Sequence, residues 1–296
     1  MQIIIPMSGQ GNRFVKAGYD TPKCLLIVDG KRVIEHVVDM FPGENNFLFI
    51  CNKEHIQNTE MEGILKRIKP EGKIRIVESR KLGPVFAVSE IMNELNDEES
   101  VMISYCDFSQ DWDFAKFKKD IASLGCAGAV PCYTGFHPHL LHKNLYAGVL
   151  ADKNGMMRDI REKHCFTENP EDSYHSGGTY YFKSGALVKK YFRELLDTKM
   201  DLNGEYYVSM VYYLLKRDGL PVFIPTVKHF MQWGTPEDFE EYEAWSRFVH
   251  RDLQKEKRST EIPAKRERLV KIPYRKGSEE FNKSHRYWKD YLQKHG

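Results

Sequence analysis

Short apolar runs recur along the chain, each closed by turn residues: Ile3–Pro6, Phe47–Cys51, Ile74–Val77, Val101–Cys106, Ala127–Cys132 and Val222–Ile224. The first four are nearly continuous rather than alternating, which suits strands buried on both faces of a parallel sheet. Between the runs, the spacing predicts helices over Arg32–Met40, Met61–Lys69, Val85–Leu95 and Phe114–Leu124. Strand and helix in alternation predict an α/β domain with right-handed crossovers. Past residue 130 the rhythm changes. Tyr146–Leu150, Met157–Glu162 and Gly178–Phe182 read as strands with little helix between them. They predict an antiparallel insertion laid on the parallel core, forming one wall of a cleft. Helices follow at Leu187–Leu196, Tyr206–Lys216 and from Pro236 to Leu253. Residues 254–276 are basic and aperiodic and contain Pro263 and Pro273, the pattern of a linker or extended arm. Phe281, Tyr287, Trp288 and Leu292 return to helical spacing and predict a short docking helix within 277–295. The expected organisation is a main domain over 1–246 and a basic C-terminal extension over 247–296.

Charge sharpens that division. Residues 247–296 carry 15 Lys and Arg against 7 Asp and Glu, a net of +8, which leaves −6 for residues 1–246 of a chain whose total is +2. A mildly acidic body with a basic tail favours a small-molecule body over a nucleic-acid-binding one. The tail shows no base-reading motif, so packing against the acidic body or a second subunit is its expected use, and a homo-oligomer is a candidate state. At 296 residues, 41% hydrophobic and 29% charged, the composition is that of an ordinary globular protein. No apolar run is long enough to span a bilayer, and no basic segment followed by a long apolar stretch opens the chain. The six cysteines form no C-x-x-C pair, and several lie in apolar runs, so they read as buried free thiols. The cytoplasm is the expected compartment.

Candidate chemistry begins at the first turn, where Gly9, Gly11 and Arg13 follow a strand and Lys23 comes ten residues later. Glycines let a backbone approach a ligand closely, and successive N–H groups make an anion-binding concavity. Arg13 can clamp phosphate oxygens bidentately and Lys23 can add a point charge. An ordinary strand-to-helix turn fits the glycine pair equally well. Two other phosphate loops do not fit. A Walker A loop needs Lys-Ser/Thr after its second glycine, where Asn12-Arg13 stand. A dinucleotide fingerprint needs a third glycine and an acid ending the second strand. Phe14 and the Cys51-Asn52-Lys53 end supply neither, which argues against a nicotinamide-dependent oxidoreductase. Asp107 closes a buried strand, where a carboxylate can hold Mg²⁺ against phosphate oxygens or simply cap a helix. His137, His139 and His142 lie within six residues, but no Cys or acid close in sequence completes a metal set. The loop they form is expected to shape a pocket, with His139 or His142 meeting an anionic group.

The stretch PMSGQGNRF, followed by TPKCLLIVDGKRVIEHVV, resembles the N-terminal signature of the sugar-phosphate nucleotidyltransferases. Gly9, Gly11, Arg13, Phe14, Pro22, Lys23, Gly30, Lys31 and Ile34 match it, with Ser8 in the place of the usual alanine. The resemblance continues more sparsely to about residue 240. It implies a Rossmann-like, mostly parallel sheet flanked by helices, of the nucleotidyltransferase or glycosyltransferase-A type. It implies transfer of NMP from an NTP (CTP, UTP, GTP or dTTP) to a phosphorylated small-molecule acceptor, with Mg²⁺ as cofactor and neither nucleic acid nor membrane as partner. The catalytic set it implies is Arg13, Lys23, Asp107 and Lys163, with Asp107 as the metal ligand. Met7, Ser8, Gly9, Gln10, Gly11, Glu78, Gly83 and Pro84 would bind the nucleotide. Glu162, Gly177, Gly178 and Glu205 would bind the acceptor.

Three further positions depart from that pattern. Cys106 replaces the glycine before Asp107, His164 replaces the proline after Lys163, and Gln232 stands where the family carries a second metal carboxylate. Either Asp107, phosphates and water suffice for the metal, or Glu237 or Asp238 takes the missing place. The first acceptor expected is a sugar 1-phosphate destined for capsule or surface polysaccharide. A cytidylyltransferase acting on a polyol or other non-sugar phosphate is the alternative, and a non-catalytic nucleotide-sugar sensor is the rival from another class.

Overall fold

The computed structural model describes residues 1–142, 146–257 and 272–295. Its core is a seven-stranded sheet whose order from one edge is Val222–Phe223, Gly128–Ala129, Thr179–Phe182, Val101–Ser104, Gln2–Met7, Phe47–Asn52 and Lys73–Val77. Gln2–Met7 runs parallel to both of its neighbours, and Phe47–Asn52 runs parallel to Lys73–Val77. Ile3, Ile4, Ile5 and Phe47 to Cys51 are completely buried, as continuous apolar runs require when helices cover both faces. The edge strand Lys73–Val77 is only partly buried. The α/β reading therefore stands: a mostly parallel central sheet with flanking helices.

The second half departs from expectation in instructive ways. The strand Thr179–Phe182 is antiparallel, but it lies inside the main sheet, between Val101–Ser104 and Gly128–Ala129. The Ala127–Cys132 run does not form one strand. It breaks at Pro131, which has no N–H to give a ladder, and the chain passes to a four-stranded antiparallel sheet of Met157–Arg161, Gly148–Ala151, Tyr174–Ser176 and Cys132–Tyr133. That sheet is the expected insertion. The Val101–Cys106 run also divides. Its strand ends at Ser104, and Phe108–Asp111 starts a separate ribbon with His229–Gln232. The 229–232 segment is thus a strand where the sequence reads only as a turn.

Two further differences concern helices. Lys53–Asn58, capped by Asn52 Oδ1 accepting from the Glu54 N–H at 2.8 Å, has no counterpart in the apolar pattern. The Val85–Leu95 helix runs instead from Gly83 to Ser89 and tightens to a 3₁₀ turn at Met92–Glu94. The long helix Pro236–Lys257 and the C-terminal helix Glu279–His295 form as the spacing predicts. Most of the 254–276 arm lies outside the described residues. The C-terminal helix buries Phe281, Trp288, Tyr291 and Leu292 in one aromatic cluster with Phe14, Trp233, Tyr242 and Trp245. Lys294 and Lys283 also reach the body, pairing with Asp111 at 3.1 Å and Glu171 at 3.3 Å.

Candidate active site

A cleft of about 950 Å³ opens at the carboxyl ends of the central strands. Gln2–Met7 delivers the turn Ser8–Gly11 to its floor, followed by the short helix Asn12–Lys16. Gly11 holds the N-cap at φ 66°, in the left-handed region that a side chain disfavours, and no side chain caps the helix. The turn's backbone N–H groups are therefore available to an anion. Met7, Ser8, Gly9, Gln10, Gly11 and Arg13 all line the cleft.

Asp107 stands at the end of the next central strand. Its carbonyl accepts from the Trp233 N–H at 2.8 Å, which ties it to the neighbouring ribbon. A Cβ on Gly234 would come within 3.0 Å of Asp107 Oδ2, so this position has no room for a larger residue without displacing the carboxylate. Lys23 Nζ donates to the same Oδ2 at 2.5 Å. Burial works against the Lys23 charge, but the charge and hydrogen bond of Asp107, together with the neighbouring Cys106 and Cys24, hold the ammonium well above its ordinary range.

The opposite wall carries the acceptor candidates. Lys163, at φ 51°, donates from Nζ to Tyr207 Oη at 2.9 Å, and Tyr207 in turn donates to Glu205. Burial and the hydrogen bond to Glu205 raise the Tyr207 hydroxyl far above its normal range. Glu162 accepts from Ser209 Oγ at 2.5 Å, and burial pushes its carboxyl upward against that bond and the Lys163 charge. Gly178, at φ 83°, packs against Tyr105 and Phe108, and a Cβ on Gly177 would strike Gln110 Oε1 at 2.9 Å. The nucleotide-side segment and the acceptor wall are joined at Gly83. Its φ is 84°, and an added Cβ would meet the Tyr206 backbone oxygen at 2.6 Å. Hydrogen bonds from Tyr206 N–H to Leu82 and from Val85 N–H to Tyr206 close the same junction.

The cleft thus brings together Arg13, Lys23, Asp107, Lys163, Gly83, Pro84, Glu162, Gly177, Gly178 and Glu205. Glu78 is not among its lining residues and pairs with Lys53 at 3.0 Å on the surface. The histidine loop differs from expectation. His137 is buried and His139 half-buried against Tyr133, with ring centroids 4.5 and 5.1 Å away, and His142 pairs with Glu241 at 3.2 Å. None of the three lines the cleft. Burial holds His137 down to about 3 and His139 well below its normal range, so both are neutral packing groups. Tyr105, Tyr146, Tyr180 and Tyr207, together with His55 and Arg80, line the cleft without any prior signal. Tyrosines in apolar runs read as core, and only the fold turns these toward a ligand.

No group of three His, Cys, Asp or Glu able to hold a metal occurs among the described residues. Beside the glycine turn the cleft offers the Asp107 carboxylate; its other lining carboxylates, Glu162 and Glu205, are engaged by Ser209 and Tyr207, and Gln232 lines the cleft with its Oε1 buried and without a hydrogen-bond partner. That donor set fits a divalent cation that keeps water and phosphate oxygens, as Mg²⁺ does, better than one caged by protein.

A mostly parallel sheet carrying a glycine turn, two cations and an acid just past a strand end around one cleft is the arrangement expected of the nucleotidyltransferase class. Residues 3–167 match the profile of the MobA-like NTP transferase domain, and the chain belongs to that family. Two further likenesses accompany the match. Bifunctional protein GlmU of Methanocaldococcus jannaschii is 25% identical over 209 residues, covering 69% of this chain and 44% of that protein. The GlmU of Buchnera aphidicola is 29% identical over 109 residues, 36% of this chain and 22% of the other. The chain spans less than half the length of these curated relatives. Among solved structures, the nucleoside-diphosphate-sugar pyrophosphorylase of Vibrio cholerae RC9 superposes with a TM-score of 0.66 at 19% identity, over 81% of this chain and 99% of that one. The inositol-1-phosphate CTP transferase of T. maritima gives 0.58 at 15% identity, over 80% and 90%. These structures share the fold.

Proposed function

We propose that the protein transfers a nucleoside monophosphate from an NTP to a phosphorylated small molecule and releases pyrophosphate. The observation that carries this reading is the arrangement of cations in one cleft: Arg13 and Lys23 beside the glycine turn, and Lys163 on the facing wall. Two polyanions must meet for this reaction, and separated cations are what such a meeting needs. The acceptor's phosphate oxygen, already ionised at neutral pH, attacks the α-phosphorus in line. A new P–O bond forms as the α–β bridge breaks, and the electron pair leaves with pyrophosphate. No general base is required.

Each residue has a role in that scheme. The Ser8–Gly11 turn holds the triphosphate, Arg13 steadies the departing pyrophosphate, and Lys23 neutralises the α- and β-phosphates. Lys163 holds the attacking phosphate, with Tyr207 and Glu205 fixing its direction. A divalent cation, when bound, would neutralise charge on the triphosphate, and Asp107 with Gln232 would hold it. For that, Lys23 must transfer its contact from Asp107 to a phosphate. Glu162, Glu205 and the cleft tyrosines supply hydrogen-bonding groups that suit a hydroxyl-rich acceptor. A sugar 1-phosphate used for surface polysaccharide is therefore the first acceptor class, and a polyol phosphate with CTP is the second. The six free cysteines, five of them buried, support a reducing compartment such as the cytoplasm.

The test is pyrophosphate release from each of CTP, UTP, GTP and dTTP with a panel of sugar 1-phosphates and polyol phosphates. One pair should stand out, and EDTA should abolish its turnover. Nucleotide binding without release from any pair would replace the enzyme reading by that of a nucleotide-sugar sensor.

A further inference from the structure

Lys163 lines the cleft, but part of what holds it lies behind the wall. The residue follows the strand Met157–Arg161 in a turn, with φ at 51°. That turn brings the carbonyl of the next residue, His164, back over the neighbouring strand Gly148–Ala151, where it lands on Gly148. A Cβ added to Gly148 would overlap the His164 carbonyl oxygen, and would stand 3.1 Å from its carbon and 3.3 Å from Phe166 Cδ2. Gly148 is not among the residues with positive φ, so any side chain could adopt its backbone. What the position requires is an empty volume. A glycine inside a strand is where another backbone can approach closely.

The strand beneath that volume is fixed from both sides. Gly148 is buried and pairs with Arg161 on one flank and His175 on the other, and the Ala147 carbonyl accepts from the Ser176 N–H at 2.9 Å. The turn is less constrained: Lys163 is exposed and already in a disfavoured backbone state. A side chain at 148 therefore displaces the turn rather than the strand. Phe166 closes the notch from outside, edge-on to the His164 ring at 4.7 Å and with the Arg161 guanidinium 5.4 Å from its centroid. At its far end the Lys163 ammonium lies 2.9 Å from Tyr207 Oη and 4.8 Å from that ring's centroid. The seat under the backbone and the anchor at the tip together fix one place for the charge.

We infer that Gly148 is a positioning residue for Lys163: the space left by its missing side chain seats the His164 carbonyl and so sets where the ammonium meets the acceptor's phosphate. The inference rests on the nucleotidyltransferase reading. Gly148 is not among the cleft-lining residues, so it acts on the acceptor only through the turn. The triphosphate side, carried by Gln2–Met7 and the glycine turn, does not depend on it.

Labelling with pyridoxal 5′-phosphate tests this on the full-length protein without turnover. The probe brings a phosphate to the site and an aldehyde that condenses with a lysine amine, releasing water; borohydride then reduces the imine to a stable amine. Peptide mapping gives the labelling rate at Lys163, which inorganic phosphate should slow in the wild type. Gly148→Ala should lower that rate by about tenfold or more, since small misplacements of a binding group are costly. Its affinity for CTP, UTP, GTP and dTTP should stay at the wild-type level. In turnover, its kcat/KM for the acceptor should fall by a similar factor with the nucleotide KM unchanged. Gly185→Ala is the control for general destabilisation: its Cβ would overlap the Asn96 carbonyl oxygen, outside the cleft, and labelling of Lys163 should stay normal. Phe166→Ala loosens the turn without a clash and should slow labelling a few-fold. The inference fails if a folded Gly148→Ala labels at the wild-type rate, or if Gly185→Ala slows labelling as much. Where Gly148→Ala does not fold, wild-type labelling in Phe166→Ala overturns it. Each of these outcomes leaves the nucleotidyltransferase reading, which pyrophosphate release tests, intact. A wild-type Lys163 that takes no label would remove that lysine from the acceptor site and the inference with it.

Discussion

Lys163 illustrates how little a single side chain says before its surroundings are known. In the sequence it is one of many lysines, and most lysines are solvated. In the fold it occupies the left-handed region at φ 51°, a backbone state that non-glycine residues take up at a cost. Its ammonium is also held by Tyr207, on the wall facing Arg13 and Lys23. Strain at a cleft residue with a fixed hydrogen bond is a reason to look for function there. Lys163→Ala and Arg13→Ala should each lower turnover by about 100-fold or more while leaving the thermal melting transition in place, since both side chains are exposed. Steady-state pyrophosphate release and a calorimetric scan check this. Near-wild-type turnover in either variant would remove that residue from the mechanism. Gly83 is the converse case. The glycine and the proline after it read as a helix start, yet the decisive fact is the Tyr206 backbone 2.6 Å from where a Cβ would sit. No local pattern announces a contact across more than 120 positions.

The elements around Asp107 explain why a C-terminal helix belongs to the site at all. The ribbon of Phe108–Asp111 and His229–Gln232 has only two strands, and such pairs are marginal alone. The Glu279–His295 helix covers its free edge. Tyr287 Oη accepts from the Phe230 N–H at 2.9 Å and donates to the Phe230 carbonyl at 3.1 Å, standing where a third strand would pair. Asp290 adds contacts to Lys228 at 2.6 Å and to His229 at 3.0 Å. Phe230 lines the cleft and Gln232 follows two residues later, so the helix supports the wall that carries the candidate metal donors. Tyr287→Phe keeps the ring but leaves both Phe230 groups unpaired. It should cost about 1–3 kcal/mol of stability and speed hydrogen exchange at the Phe230 amide. Unchanged exchange there would show that the helix does not brace the ribbon. The aromatic spacing of 281–292 announced the helix; its purchase on residue 230 was not legible, because it depends on a hydroxyl reaching a strand 57 positions away.

For the whole molecule, the histidine loop sets a limit on acid tolerance. His137 and His139 are neutral when folded because burial keeps them below their ordinary range, His137 at about 3. In the unfolded chain they take up protons near pH 6.5. Between those values the unfolded state binds more protons, so stability is complete above about pH 6.5 and falls as pH drops through that window, by about 1.4 kcal/mol per pH unit for each such group. Urea midpoints should therefore decline from pH 7 to pH 5, and His137→Phe should flatten the decline; a flat wild-type profile would contradict the burial argument. Apolar runs and their turn residues announced the α/β class, the early helices and the glycine turn with Arg13 and Lys23, because burial pattern and turn chemistry are local to each segment, although the strand pairings themselves join residues as far apart as Gln2 and Val101. Tertiary structure alone decided the rest. Thr179–Phe182 joins the main sheet, His137 packs inward, four tyrosines line the cleft, and Gln232 ends a ribbon strand paired with Phe108. Each of these depends on which distant segment fills the adjoining space, and residue order does not encode that.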